Sequence, residues 1–211
     1  MVIAIDGPAG SGKSTIARLV AQRLGYYFLN TGSFYRAYTL SALDRGIDPL
    51  DREKVLENAE RIRITVENGN ICIDGTDSEN RLHSPSVDAF CSQVSSDPRI
   101  RELVNKAVRK LAAGMDIVTE GRDTTTVIFP DAEYKFYFDA SPEIRARRRA
   151  KEQSGADYEQ ILSAIIERDR MDKEKETGAL KIAPDAIYID TSLLTINQVC
   201  EKVIEAVREP L

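Results

Sequence analysis

Eight consecutive residues near the start of the chain, Gly7-Pro8-Ala9-Gly10-Ser11-Gly12-Lys13-Ser14, have the spacing G-x-x-x-x-G-K-[ST]. That pattern is a grip for phosphate. The glycines let the backbone bend until several N–H groups point inward at phosphate oxygens. A helix starting at Lys13 adds positive potential at the same point. The Lys13 ammonium can reach the β and γ phosphates of a nucleoside triphosphate, and the Ser14 hydroxyl is a hard oxygen ligand suited to Mg²⁺. Gly7 through Ser14, with Thr15 behind them, are therefore the candidate ATP-binding residues, and Ser14 is the candidate metal ligand. The grip by itself does not name a reaction.

The remaining chemistry-bearing residues narrow it. The chain holds no N-K-x-D sequence for reading guanine and no apolar strand ending in Asp-Glu, as many motor ATPases have. Its only histidine is His83, which disfavours His-based proton transfer and reads as an ordinary surface or hinge residue. Arg36, Arg101, Arg122 and Arg168 each fall at an expected loop or helix end beside a hydroxyl or carboxylate. Planar guanidinium forks there would suit a second phosphate-bearing ligand. A net charge of −5 argues against a broad nucleic-acid surface. Cys72, Cys91 and Cys200 lie far apart, so a zinc site or disulfide framework is not expected and a reducing cytoplasm fits better. No run approaches the roughly 20 apolar residues of a membrane span.

These residues need elements to hold them. Val2–Ile5 is a continuous apolar run of the kind that forms a buried parallel strand. Lys13–Leu24 has helical spacing at Ile16, Leu19, Val20 and Leu24, with Gly25 as a stop. A short strand at Tyr26–Leu29 and a helix at Phe34–Leu43 follow. From Asp48 to about His83 the pattern changes. Asp51 can cap a helix to about Glu60. Arg61–Val66 then alternates as a strand, Asn68-Gly69 signals a hairpin, and Ile71–Ile73 returns before Asp74-Gly75. Helices are expected over 86–96 and 98–113, strands over 116–119 and 134–138, helices from Pro142 and over 158–171, a strand over 186–189, and a last helix capped by Thr195. About five β–α units imply a doubly wound α/β sheet, and the hairpin implies an inserted subdomain.

Taken together, the motifs resemble the bacterial cytidylate kinase family of nucleoside monophosphate kinases. The resemblance runs nearly end to end. It rests on I-A-I-D-G-P-A-G-S-G-K-S-T from Ile3, L-N-T-G-S-F-Y-R over 29–36, C-S-Q-V-S-S-D-P-R-I-R over 91–101, E-G-R-D over 120–123 with V-I-F-P-D-A from Val127, and E-R-D-R-M-D over 167–172. It implies one P-loop kinase domain over 1–211 with a five-stranded parallel sheet flanked by helices. It also implies a monophosphate-binding insertion carrying a small antiparallel sheet at about 47–84, and a lid at about 145–178.

By the same resemblance, Ser33 and Arg36 line the monophosphate site, Arg36 and Arg122 hold the acceptor phosphate, and Ser92, Arg101 and Asp123 read cytosine. Arg168 and Asp172 approach the ribose and phosphate, Lys175 contacts phosphate, and Arg148, in the basic run Arg145 to Arg149, packs the ATP base. Lys13, Arg36 and Arg122 are the catalytic set, and the substrates are MgATP with CMP or dCMP, acting on a cytoplasmic monomer without nucleic acid or membrane. Four positions depart from the pattern: Glu120 stands where Asp is common, Met171 and Lys173 replace more typical polar or basic residues, and Lys175 replaces an arginine and cannot form its fork. The bland alternative for Asp123 is an N-cap for a helix at 124–127. Two rival functions remain at this level: a P-loop kinase for another acceptor, such as shikimate, a sugar acid or a different monophosphate, and a nucleotide switch that does little chemistry.

Overall fold

The structure is a computed structural model that describes residues 1–67, 69–152 and 157–208. Asn68 of the expected hairpin and 153–156 of the expected lid lie outside the described residues. The chain divides into two compact units: Met1–Leu29 with Gly114–Leu211, and Asn30–Ala113. The segment 47–84 lies inside the second.

The first unit is built on a five-stranded parallel sheet. Its strands are β1 (Val2–Asp6), β2 (Tyr27–Asn30), β6 (Ile117–Gly121), β7 (Tyr134–Asp139) and β8 (Ile187–Asp190), in the order β2-β6-β1-β7-β8. β1 is central because its apolar run can be covered on both faces. It pairs Ile5 with Glu120 on one side and with Phe136 on the other. On one face, Ile3, Ile5, Val118, Phe136 and Phe138 pack against α1 (Lys13–Leu24) and α8 (Ile196–Arg208). α8 meets them with Val199, Cys200, Val203, Ile204 and Val207, a helical stripe. Full burial of one such valine contributes about 1.5–3 kcal/mol. The chain runs from β1 outward to β2, returns to β6 between them, and then crosses to β7 and β8 on the other side, so the strand order reverses beside β1. That reversal opens a crevice at the carboxyl ends of the strands, where α/β sheets hold ligands. Helices α6 (Pro142–Glu152) and α7 (Tyr158–Glu174) form the β7-to-β8 crossover and pack on each other.

The second unit holds α2 (Thr31–Asp44), α3 (Arg52–Arg61), α4 (Pro85–Val94), α5 (Pro98–Ala112), and an antiparallel sheet of β3 (Ile64–Glu67), β4 (Asn70–Ile73) and β5 (Thr76–Asp77). α2 packs against α3, α4 and α5. The Asp51 side chain caps α3 by accepting from the Lys54 N–H at 3.2 Å, as expected. The expected strand from Arg61 is corrected: α3 runs through Arg61, and β3 begins only at Ile64. The Ile62 N–H closes on the Asn58 carbonyl at 3.1 Å and its side chain is buried, so its place in the alternation serves the helix end. β5 is a two-residue strand, too short to leave a periodic trace.

Candidate active site

Asp6 ends β1, and the next eight residues wrap around the start of α1. Gly7 is obligatory: a Cβ there would sit 2.0 Å from the Phe138 carbonyl oxygen. Gly12 has φ 90°, a left-handed conformation that costs glycine little, and it starts α1 without a capping side chain. The first-turn N–H groups of α1 are thus directed at the loop, the arrangement that attracts an anion.

Lys13 is buried, and its Nζ donates to the Pro8 carbonyl at 2.7 Å. Burial, reinforced by the nearby Arg122 charge, pushes its ammonium from 10.5 down to about 7, against the opposing pull of Glu120, Asp6 and Asp172. Two cations held close together in a buried place are characteristic of a site made for a polyanion. Ser14 Oγ donates to Glu120 Oε1 at 2.7 Å. That pair sets a hydroxyl and a carboxylate oxygen side by side, hard ligands of the kind Mg²⁺ takes. Sequence reasoning named Glu120 only as a departure from the family pattern and gave it no role in the site. Its signal was the apolar run Ile117-Val118-Thr119 ending in a carboxylate, on the strand that neighbours β1.

Arg122 and Asp123 follow β6. Arg122 Nε donates to Asp172 Oδ2 at 2.7 Å, and Lys175 Nζ donates to the other oxygen of the same carboxylate at 3.0 Å. Burial alone would raise the Asp172 carboxyl, but the Arg122 and Lys175 charges overcome it and hold the group down at about 2. So Lys175, which departs from the arginine expected there, still reaches this cluster as a point charge. Arg168 lies half-buried on α7, four residues before Asp172. Asp123 is buried and makes no side-chain cap to the wide π-type turn at Thr124–Ile128, so the N-cap alternative falls away. That turn is capped from elsewhere: the Asp6 carboxylate accepts from the Thr124 and Thr125 N–H groups and from the Thr125 hydroxyl.

The basic run on α6 divides. Arg145 is fully buried, bonded to the Ala140 and Ala9 carbonyls and paired with Asp169, so it braces the phosphate loop and does not face a base. Arg148 donates to the Thr191 hydroxyl and carbonyl, and Thr191 Oγ1 donates to the Ser11 carbonyl at 3.2 Å. Arg148 is thereby tied to the loop through one residue, while Arg147 and Arg149 are exposed.

In the second unit, Ser33 is buried in the first turn of α2, capped by Asn30. Arg36, one turn on, donates through Nη1 to the Leu82 carbonyl at 2.9 Å and to Asp88 of α4 at 2.7 Å. Ser92 is half-buried one turn after Asp88. Its carbonyl accepts from Ser95 Oγ at 3.0 Å, while the Ser95 carbonyl accepts from Arg101 Nη1, also at 3.0 Å. The buried Arg101 guanidinium lies 5.3 Å from the Tyr35 ring centre. Ser33, Arg36, Ser92 and Arg101 thus sit on α2, α4 and α5, linked by these contacts.

A profile of the family described as cytidylate kinase matches residues 3–209. The chain belongs to the cytidylate kinase family. It is 42% identical over 211 residues to the cytidylate kinase of Caldanaerobacter subterraneus subsp. tengcongensis, covering 98% of this chain and 94% of that protein. It is 41% identical over 217 residues to that of Thermodesulfovibrio yellowstonii, covering 99% and 98%. Among solved structures it resembles a shikimate kinase from Bacteroides thetaiotaomicron at TM-score 0.52 and 13% identity, with 99% of each chain covered. A protein from Eubacterium ventriosum is similar at TM-score 0.56 and 13% identity, with the same coverage. At such identities the structural likeness speaks to the kinase fold alone. The family matches favour the cytidylate reading over the shikimate, sugar-acid and switch alternatives. No helix among the described residues is long and apolar enough to cross a membrane.

Proposed function

We infer that this cytidylate kinase family member transfers the γ-phosphoryl group of MgATP to CMP, and to dCMP, giving the diphosphate and ADP. The observation that carries the reading is the buried Lys13 beside Arg122 at an uncapped helix start. A phosphate oxygen of the acceptor attacks the γ phosphorus, and the bond to the bridging oxygen of ADP breaks. The acceptor phosphate is mostly dianionic at neutral pH, its second pKa being about 6, so no strong base is required. Lys13 and the first-turn N–H groups bind and orient the triphosphate, Arg148 lies toward its base, and Arg36 and Arg122 orient the acceptor phosphate. Ser14 and Glu120 would hold Mg²⁺, which when bound neutralises charge on the β and γ phosphates.

Asp123 accepts from the cytosine amino group, and Arg101 donates to its ring acceptors, with Ser33 and Ser92 as further polar contacts. Arg168, Asp172 and Lys175 serve the ribose and phosphate side. Uracil reverses both complementarities, and one unpaired buried polar group costs about 1–3 kcal/mol, roughly 5- to 150-fold. Action as a cytoplasmic monomer, with a lid at about 145–178, belongs to the same reading.

An acceptor panel of CMP, dCMP, UMP, AMP, GMP and dTMP with MgATP, read by ADP formation, tests it. CMP and dCMP should lead, and Asp123→Ala should lose most of that preference. ATP binding without acceptor-dependent turnover, or a preference for another acceptor, would refute the assignment.

A further inference from the structure

We propose that Asp6 is a positioning residue for the acceptor side of the reaction. Resting on the cytidylate reading above, it fixes Arg122 and Asp123 relative to the phosphate loop through the turn that follows them. The turn at Thr124–Ile128 is wide: the Val127 and Ile128 N–H groups both reach the Asp123 carbonyl, at 2.8 and 3.2 Å, and the Phe129 N–H reaches the Thr124 carbonyl at 2.8 Å. Its first N–H groups have no partner within the turn, as at any helix start. The ordinary solution is a cap from the preceding side chain, and Asp123 does not provide it.

Asp6 does, from more than a hundred residues away. Its Oδ1 accepts from the Thr124 N–H at 2.9 Å, and its Oδ2 accepts from the Thr125 N–H at 2.7 Å and the Thr125 hydroxyl at 2.6 Å. The two N–H partners can only donate and so favour the carboxylate, against the burial that raises its pKa. The group is wholly buried, and both of its oxygens are engaged by the turn. The same residue sits directly before Gly7. One side chain therefore clips the strand that launches the phosphate loop to the turn directly after Arg122 and Asp123, the two residues assigned to the acceptor's phosphate and base.

The consequence is selective. Asp6→Asn keeps size but turns an NH₂ group toward an N–H donor, so the turn loses one anchor and Arg122 and Asp123 lose their register. KM for CMP should rise about tenfold or more, and the CMP-over-UMP ratio of kcat/KM should fall. KM for MgATP should rise less than about threefold, because the loop glycines are untouched and the Asp6 charge acts on Lys13 less than burial, Arg122 or Glu120 does. Thr125→Val, which removes only the hydroxyl anchor, should show the same pattern more weakly, and Thr125→Ser should restore it. The Thr125 pair decides the matter if Asp6→Asn does not fold. A folded Asp6→Asn enzyme with unchanged KM and selectivity for CMP would overturn the proposal. So would equal losses toward ATP and CMP, or a Thr125→Ser enzyme no better than Thr125→Val. Absence of CMP-dependent ADP formation by the unaltered protein would instead overturn the functional reading.

Discussion

Replacing Lys13 with methionine should make the protein more stable while abolishing turnover. The ammonium is held buried, and burial with the Arg122 charge pushes it from 10.5 down to about 7. At 1.36 kcal/mol per pH unit, that gap corresponds to about 5 kcal/mol of unfavourable energy for the charged form, and to about 4 kcal/mol at pH 7, where the folded group is half neutral. Methionine forfeits the bond to the Pro8 carbonyl, worth about 1 kcal/mol, so a net gain of about 3 kcal/mol is expected. The sign follows from proton counts. Between about pH 7 and 10.5 the unfolded chain holds the proton that the folded chain has released, so stability of the parent rises with pH there. The variant lacks this rise, and its advantage should be largest at and below pH 7 and gone near pH 10.5. Urea unfolding of both proteins at pH 6, 7.5 and 9 measures it. A second arm uses binding: a triphosphate restores the Lys13 charge, so MgATP binding at pH 8 should take up nearly one proton, measured by calorimetry in two buffers of different ionisation enthalpy. A variant no more stable than its parent at pH 6, together with no proton uptake, would refute the reasoning.

Three further outcomes are expected. Gly7→Ala, whose added carbon meets the Phe138 carbonyl at 2.0 Å, should destabilise by about 3 kcal/mol or more and lose nucleotide binding, read by thermal unfolding and ATP titration. Asp172→Asn removes a carboxylate held down at about 2 by Arg122 and Lys175, so it should cost about 2 kcal/mol at pH 7. Because the folded value lies below the ordinary 3.8, that stability is present above about pH 4 and is lost as pH falls toward 2, where the urea midpoints of variant and parent should converge. Glu120→Gln keeps a partner for Ser14 but loses the charge, so the Mg²⁺ concentration for half-maximal turnover should rise roughly tenfold with little change in melting temperature.

Much of this protein was legible without coordinates wherever the information is local. Helix Lys13–Leu24 came out at its observed ends, because its glycine stop and apolar period lie within one short stretch. The Asp51 cap and the alternation of sheet strands with helices were readable for the same reason. Local spacing failed at Arg61–Ile62, where alternation and helix compete and only the Asn58 carbonyl decides. It could not foresee Glu120 beside Ser14, 106 residues apart, or Asp6 capping a turn 118 residues on. It grouped Arg145 with its basic neighbours, although burial makes that residue a brace for Ala9 and leaves Arg148 beside the loop. The chain by itself determined that a triphosphate is gripped, since Gly7 to Ser14 carry their dihedral freedom and charge in one contiguous run. Only the tertiary structure decided which carboxylates stand around that grip, because strand order brings distant segments together and burial then selects which charges are paired.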